Sequence, residues 1–161
     1  MGRQEGIVRR ALLVALVLWC TEACGDKKSG GKGEAEIIGP AGGMVLAADA
    51  SLEIPAGALE TETTFTIEAA ASAQSPVAGL SVVSKVYTVG PGGTVFEIPA
   101  TLTFPWDSAL LPEGVTQEDV VVFGTSDAAT WEQVESEVLA GSVVAQVHHL
   151  SSFAALAGPG A

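Results

Sequence analysis

The chain is predicted to be all-β: an antiparallel β-sandwich preceded by a signal peptide and a flexible tether. Three observations carry the fold class. Short runs rich in Val, Thr, Ile and Phe alternate with clusters of Gly, Pro and Asp. Some of these runs alternate strictly. In Thr64-Phe65-Thr66-Ile67-Glu68, Phe65 and Ile67 share one face while Thr64, Thr66 and Glu68 share the other. Leu102 and Phe104 stand in the same way against Thr101 and Thr103. Such alternation suits an antiparallel sheet with one wet face. Finally, no window after residue 33 sustains a helical period.

The expected strands follow in order. They are Met44–Ala47, Ser51–Ile54, Thr63–Ala70, Val82–Val89, Thr94–Glu97, Thr101–Phe104, Val120–Phe123, Thr130–Glu135, Val143–Val147 and Ser152–Leu156. Pro55 and Gly57 end one strand and turn the chain, and Gly90-Pro91-Gly92-Gly93 is a second turn. Pro99 and Pro105 bracket a short run, which suggests an edge strand, because proline cannot donate to a ladder. Residues 69–79, Ala-rich but carrying Pro76 and Gly79, read as a loop. Many short strands with turn signals between them point to a sandwich.

The first 33 residues read differently. Arg9 and Arg10 precede the apolar run Ala11–Trp19, which is too short for a spanning helix of about 20 apolar residues. A basic start followed by a short apolar stretch is the pattern of an export signal. Its end resembles a bacterial lipoprotein signal, which is cut before a cysteine that then carries lipid. Cys24 follows the small Ala23 and precedes Gly25-Asp26-Lys27-Lys28, whereas Cys20 follows the bulky Trp19. Cys24 is therefore the expected lipidation site, although Thr21 and Glu22 depart from the usual residues upstream. A plain secretory signal with two incidental cysteines is the alternative. The resemblance implies a signal peptide over residues 1–23, a lipidated cysteine and tether over 24–35, and one domain over 36–158. It also implies a location at the cell envelope, anchored to a bacterial membrane at the outer membrane or periplasmic face.

Composition fits export of one domain. The 128 residues beyond Gly33 are near the usual size of a single domain. They contain no cysteine, so no disulfide framework or thiolate metal site is available. They hold sixteen acids against Lys85 alone, a formal charge of −15. Such a surface repels phosphate backbones, and no nucleic-acid partner is expected. The acids lack the closely spaced oxygen-ligand loop of calcium proteins, so they read as solvated charge and no metal or cofactor is expected.

Two motifs in the domain carry a family resemblance. Gly42-Gly43-Met44-Val45-Leu46, followed by Ser51-Leu52-Glu53-Ile54-Pro55-Ala56-Gly57-Ala58-Leu59, resembles the opening of the ZU-five domain. Val86-Tyr87-Thr88-Val89-Gly90-Pro91-Gly92-Gly93-Thr94-Val95-Phe96, then Ile98-Pro99-Ala100-Thr101-Leu102-Thr103-Phe104-Pro105, resembles its middle, with Ala100 where the family usually has Val. The likeness covers about residues 39–105. It implies a β-sandwich of the kind that ankyrins, netrin receptors and tight-junction scaffolds use for protein interaction. A protein partner is thus expected, of unknown identity, and no enzyme activity.

One segment suggests chemistry. His148-His149-Leu150-Ser151-Ser152-Phe153 resembles the self-cleaving site of GAIN domains. That resemblance implies His149 as base, Ser151 as nucleophile and Leu150–Ser151 as the scissile bond. The serine oxygen would attack the preceding carbonyl, an N-to-O acyl shift would give an ester, and water would hydrolyse it. An imidazole near its ordinary pKa of about 6.5 can take the proton, and backbone strain would drive the first step. The paired cysteines and tryptophans of the receptor site are absent; Trp131 is a single counterpart or a core ring. The reading that weighs more for the same residues is a plain last strand, with Phe153 and Ala155, or Ala154 and Leu156, facing the core, and the chain is expected to stay uncut. That strand, followed by Gly158-Pro159-Gly160, is expected to be lightly clamped. Other catalytic motifs are missing. Glu132, Glu135 and Glu137 cluster without an evident cleft, and the adjacent His148 and His149 should point to opposite faces of a strand. Trp106-Asp107 either offers an aromatic to a sugar or partner, or covers the end of the sandwich, and the second is favoured.

Overall fold

The structure is a computed structural model and describes residue 33 and residues 35–72, 74–125 and 129–159. The expected signal peptide, Cys20, Cys24 and most of the tether lie outside the described residues.

Among the described residues, twelve strands form two antiparallel sheets packed face to face. They are β1 (Glu36–Ile38), β2 (Gly43–Leu46), β3 (Ser51–Ile54), β4 (Thr63–Ala70), β5 (Ser81–Val82), β6 (Val86–Gly90), β7 (Val95–Pro105), β8 (Val120–Thr125), β9 (Trp131–Val134), β10 (Ser136–Leu139), β11 (Ser142–His149) and β12 (Ser152–Ala157). One sheet runs β1-β4-β6-β12-β8-β9, with β5 also on β12. The other runs β10-β11-β7-β3-β2.

The alternation read from the sequence is the alternation of burial. Phe65 and Ile67 are fully buried between Thr64, Thr66 and Glu68, and Leu102 and Phe104 between Thr101 and Thr103. Two aromatic pairs link the sheets. Phe65 of β4 stacks on Phe96 of β7 at 6.3 Å, and Tyr87 of β6 meets Phe104 of β7 at 4.7 Å. Such pairs contribute about 0.5–1.5 kcal/mol each beyond their buried area. One close approach admits only glycine. Gly124 pairs with Phe153, and a Cβ there would lie 2.8 Å from the Phe153 ring.

The structure corrects several expectations. Thr94–Glu97 and Thr101–Phe104 are one strand, and that strand is central, between β11 and β3. Pro99 is tolerated because it sits where the β7–β11 register shifts, and Pro105 because it ends the strand. At the shift Glu97 leaves the ladder and its N–H donates to Ala58 O at 3.2 Å.

Val82–Val89 is broken instead. β5 and β6 both pair with β12, on either side of a bulge at residues 83–85. Within it Val83 N–H donates to Ala155 O, and Ser84 Oγ accepts from Ala155 N at 2.9 Å. The serine hydroxyl thus completes a ladder the backbone cannot. The strands β1 and β10 were not expected from the sequence; each is only three or four residues long.

The last strand is likewise not loosely held. β12 lies inside its sheet, paired with β5 and β6 on one side and β8 on the other. Phe153, Ala155 and Ala157 join the core between the sheets. Ala154 and Leu156 are buried too, outside that core cluster and so on the opposite face of β12. The loop after β4 returns to this strand, since a Cβ on Gly158 would meet Leu80 Cδ2 at 2.6 Å.

Candidate functional sites at the two ends of the sandwich

β7 runs the length of its sheet. At its start Val95 pairs with His149, and at its end Pro105 pairs with Ser142. Each end of the sandwich holds a candidate site.

At the first end, β11 turns into β12 through Leu150 and Ser151. The turn is held by backbone. Leu150 N–H donates to Thr94 O at 2.9 Å, Gly93 N–H donates to Leu150 O at 3.2 Å, and Val89 N–H donates to Ser151 O at 2.9 Å. Leu150 is buried and Ser151 is 7% exposed. His149 Nδ1 and Ser151 Oγ are both buried with no hydrogen-bond partner. They therefore do not bond to each other, and the structure leaves the expected base and nucleophile uncoupled.

Beside this turn lies a cleft of about 420 Å³ between the edge strand β9 and β11. Its walls include Glu132, Glu135, His148, His149 and Phe153. His148 and His149 are both among the residues lining this cleft, His148 exposed and His149 half-buried. Glu137 is separated from the other two glutamates and stands exposed on β10. Among the described residues no group of three or more His, Cys, Asp or Glu could hold a metal ion. Trp131 is not a core ring: it begins edge strand β9 and is only partly buried.

At the second end, four segments converge: the β2–β3 turn with Asp49, the β5–β6 bulge, the residues after β7, and the β10–β11 turn. Trp106 ties them together. Its backbone N–H donates to Gly141 O at 3.3 Å and its indole N–H to Leu139 O at 3.0 Å. Asp107 N–H donates to Val83 O at 2.7 Å, and the Asp107 carboxylate then caps Ala109 N at 2.9 Å. Trp106 is 7% exposed, so the ring covers this end of the sandwich.

A cavity of about 310 Å³ opens under it, lined among others by Asp49, Ser84, Lys85, Tyr87, Trp106 and Leu110. Lys85, the single Lys or Arg beyond residue 33, pairs with Asp49 across its mouth. Tyr87 is fully buried and its Oη makes no hydrogen bond. Burial, and then the charge and proximity of the Asp49 carboxylate, push this phenol well above its ordinary 10. The hydroxyl thus remains a proton donor, near Asp49 but outside hydrogen-bonding geometry with it.

Sequence reading singled out Trp106-Asp107 but not Asp49, Lys85 or Tyr87. The one available signal was that a chain so acidic keeps a lone lysine beyond residue 33. No family model matches this chain, and no curated protein sequence matches it.

Proposed function

We propose that the chain is an exported, lipid-anchored β-sandwich module that binds or scaffolds another protein at a bacterial cell envelope and does no catalysis. The observation that carries the reading is the outer face of the five-stranded sheet. Met44, Leu46 and Leu139 are 51%, 59% and 41% exposed. The ladder rows set them among Ser51, Glu53, Thr101, Thr103, Glu137 and Val144 on that one face. Apolar side chains spread over a flat sheet face and flanked by carboxylates suit a protein partner with apolar contacts and a basic rim. The likeness of residues 39–105 to the ZU-five domain supports the same reading. The signal-like start and Ala23-Cys24 support anchoring through Cys24, since two acyl chains hold a protein at a membrane where one does not.

The test uses the full chain in its own cells. A photo-crosslinking residue at Thr103, on the proposed face, should give discrete protein adducts, while one at Thr64, on the outer face of the other sheet, should not. Leu46→Glu should abolish the Thr103 adducts. Equal adducts from both positions would sink the docking face. Fatty-acid labelling should vanish in Cys24→Ala; loss of label in Cys20→Ala alone would move the anchor.

A second reading, self-cleavage at Leu150–Ser151, has one observation in its favour. Gly93 N–H already donates to the Leu150 carbonyl, where an oxyanion would develop. The uncoupled His149 and Ser151 weigh against it.

A further inference from the structure

We propose that the cavity beneath Trp106 is a binding site for a single neutral sugar ring. The site lies at the end of the sandwich, apart from the docking face, and does not depend on it.

The argument begins with what the walls have left to offer. Trp106 spends its one polar atom on Leu139 O, so its contribution to the cavity is carbon surface. Pro105 and Leu110 add to that apolar wall. Pockets of this size are typically apolar with a few placed polar groups that orient the ligand. Here the placed groups are Asp49, Lys85 and Tyr87. Asp49 accepts from Lys85 through Oδ2, which leaves its other oxygen for a further donor. Lys85 has three N–H donors and uses one on Asp49. Tyr87 is one of the lining residues, and its Oη is buried without a partner. A buried hydroxyl without a partner is unfavourable, and an acceptor entering the cavity would relieve it.

The chemical class follows from the combination. A carboxylate acceptor, ammonium donors and a phenol donor beside an aromatic wall match a ring with one apolar face and several hydroxyls, each able to donate and accept. Charge narrows the choice. Asp49 and Asp107 outnumber Lys85 around the cavity, and the whole domain is acidic, so an anionic ligand is repelled. A cation would compete with Lys85 for Asp49. A neutral hexose unit meets neither penalty, and a cavity of about 310 Å³ has room for one ring.

The test is ligand-observed NMR on the full mature chain in detergent. The probes are methyl β-glucoside, methyl β-galactoside and N-acetylglucosamine, with benzoate and indole as comparators. At least one sugar should bind with a Kd of about a millimolar, and benzoate should not. Tyr87→Phe keeps the ring and removes only the hydroxyl, so it should fold as the parent does and bind that sugar about tenfold more weakly. Asp49→Asn should weaken binding as well. The proposal is overturned if none of the three sugars binds, if benzoate or indole binds in preference, or if both variants bind as the parent does.

Discussion

The two ends of the sandwich both bury polar atoms that lack partners, in opposite settings. At the β11–β12 turn the atoms are His149 Nδ1 and Ser151 Oγ. They belong to a recognisable triplet, but three backbone bonds, to Thr94 and from Gly93 and Val89, hold Leu150 and Ser151 in place. At the Trp106 end the atom is Tyr87 Oη. It belongs to no motif, yet it lines a cavity beside an ion pair and an aromatic wall. The first end has the residues of a reaction without their coupling; the second has a built recess without a sequence signature. A nucleophile and its base must meet within hydrogen-bond reach before a motif implies chemistry, whereas a cavity needs only that unrelated loops converge on it.

This contrast is open to direct attack by substitution. The largest expected effect is at Trp106, which joins the β10–β11 turn to the end of β7. Trp106→Ala should lower stability by about 3–5 kcal/mol, read as a shift in the urea midpoint of the chain. A loss below about 1 kcal/mol would mean that the ring is a cover and not a tie. Next is Ser84, whose hydroxyl stands in for the backbone in the β5–β6 bulge. Ser84→Ala leaves Ala155 N–H buried and unpartnered and should cost about 1–3 kcal/mol, with faster hydrogen exchange at Ala155. Unchanged exchange there would show that the ladder repairs itself. The smallest effect belongs to the other end. Ser151→Ala removes a buried hydroxyl that bonds to nothing, so stability should rise by about 1 kcal/mol. Intact-mass spectrometry should then find both proteins uncut. A species ending at Leu150 in the parent and missing from Ser151→Ala would erase the contrast, because the motif would then have its chemistry.

Legibility in the sequence followed the range of the interactions. β3 and β4 were read to the residue, since period-2 burial of Leu52, Ile54, Phe65 and Ile67 is written locally. β1 and β10 were missed because strands of three or four residues carry too little pattern. Trp131 reads from the sequence as a core ring sooner than as a counterpart of the receptor tryptophans, but its place on an edge strand leaves it only partly buried. Pro99 pointed to an edge strand because proline usually avoids a central one; it is admitted because it falls at a register shift.

What the sequence determined by itself was therefore the class of the fold, the sign of its charge and the positions of its main turns. These depend on side-chain alternation, composition and the backbone preferences of Gly and Pro, which act over a few residues. Only the tertiary structure decided which strand is central, that β12 is clamped on both sides, and that Asp49, Lys85, Tyr87 and Trp106 share one cavity. Those residues come from the β2–β3 turn, the β5–β6 bulge, β6 and the end of β7. Their meeting is set by strand order and by the packing of one sheet on the other, and no local pattern of residues encodes either.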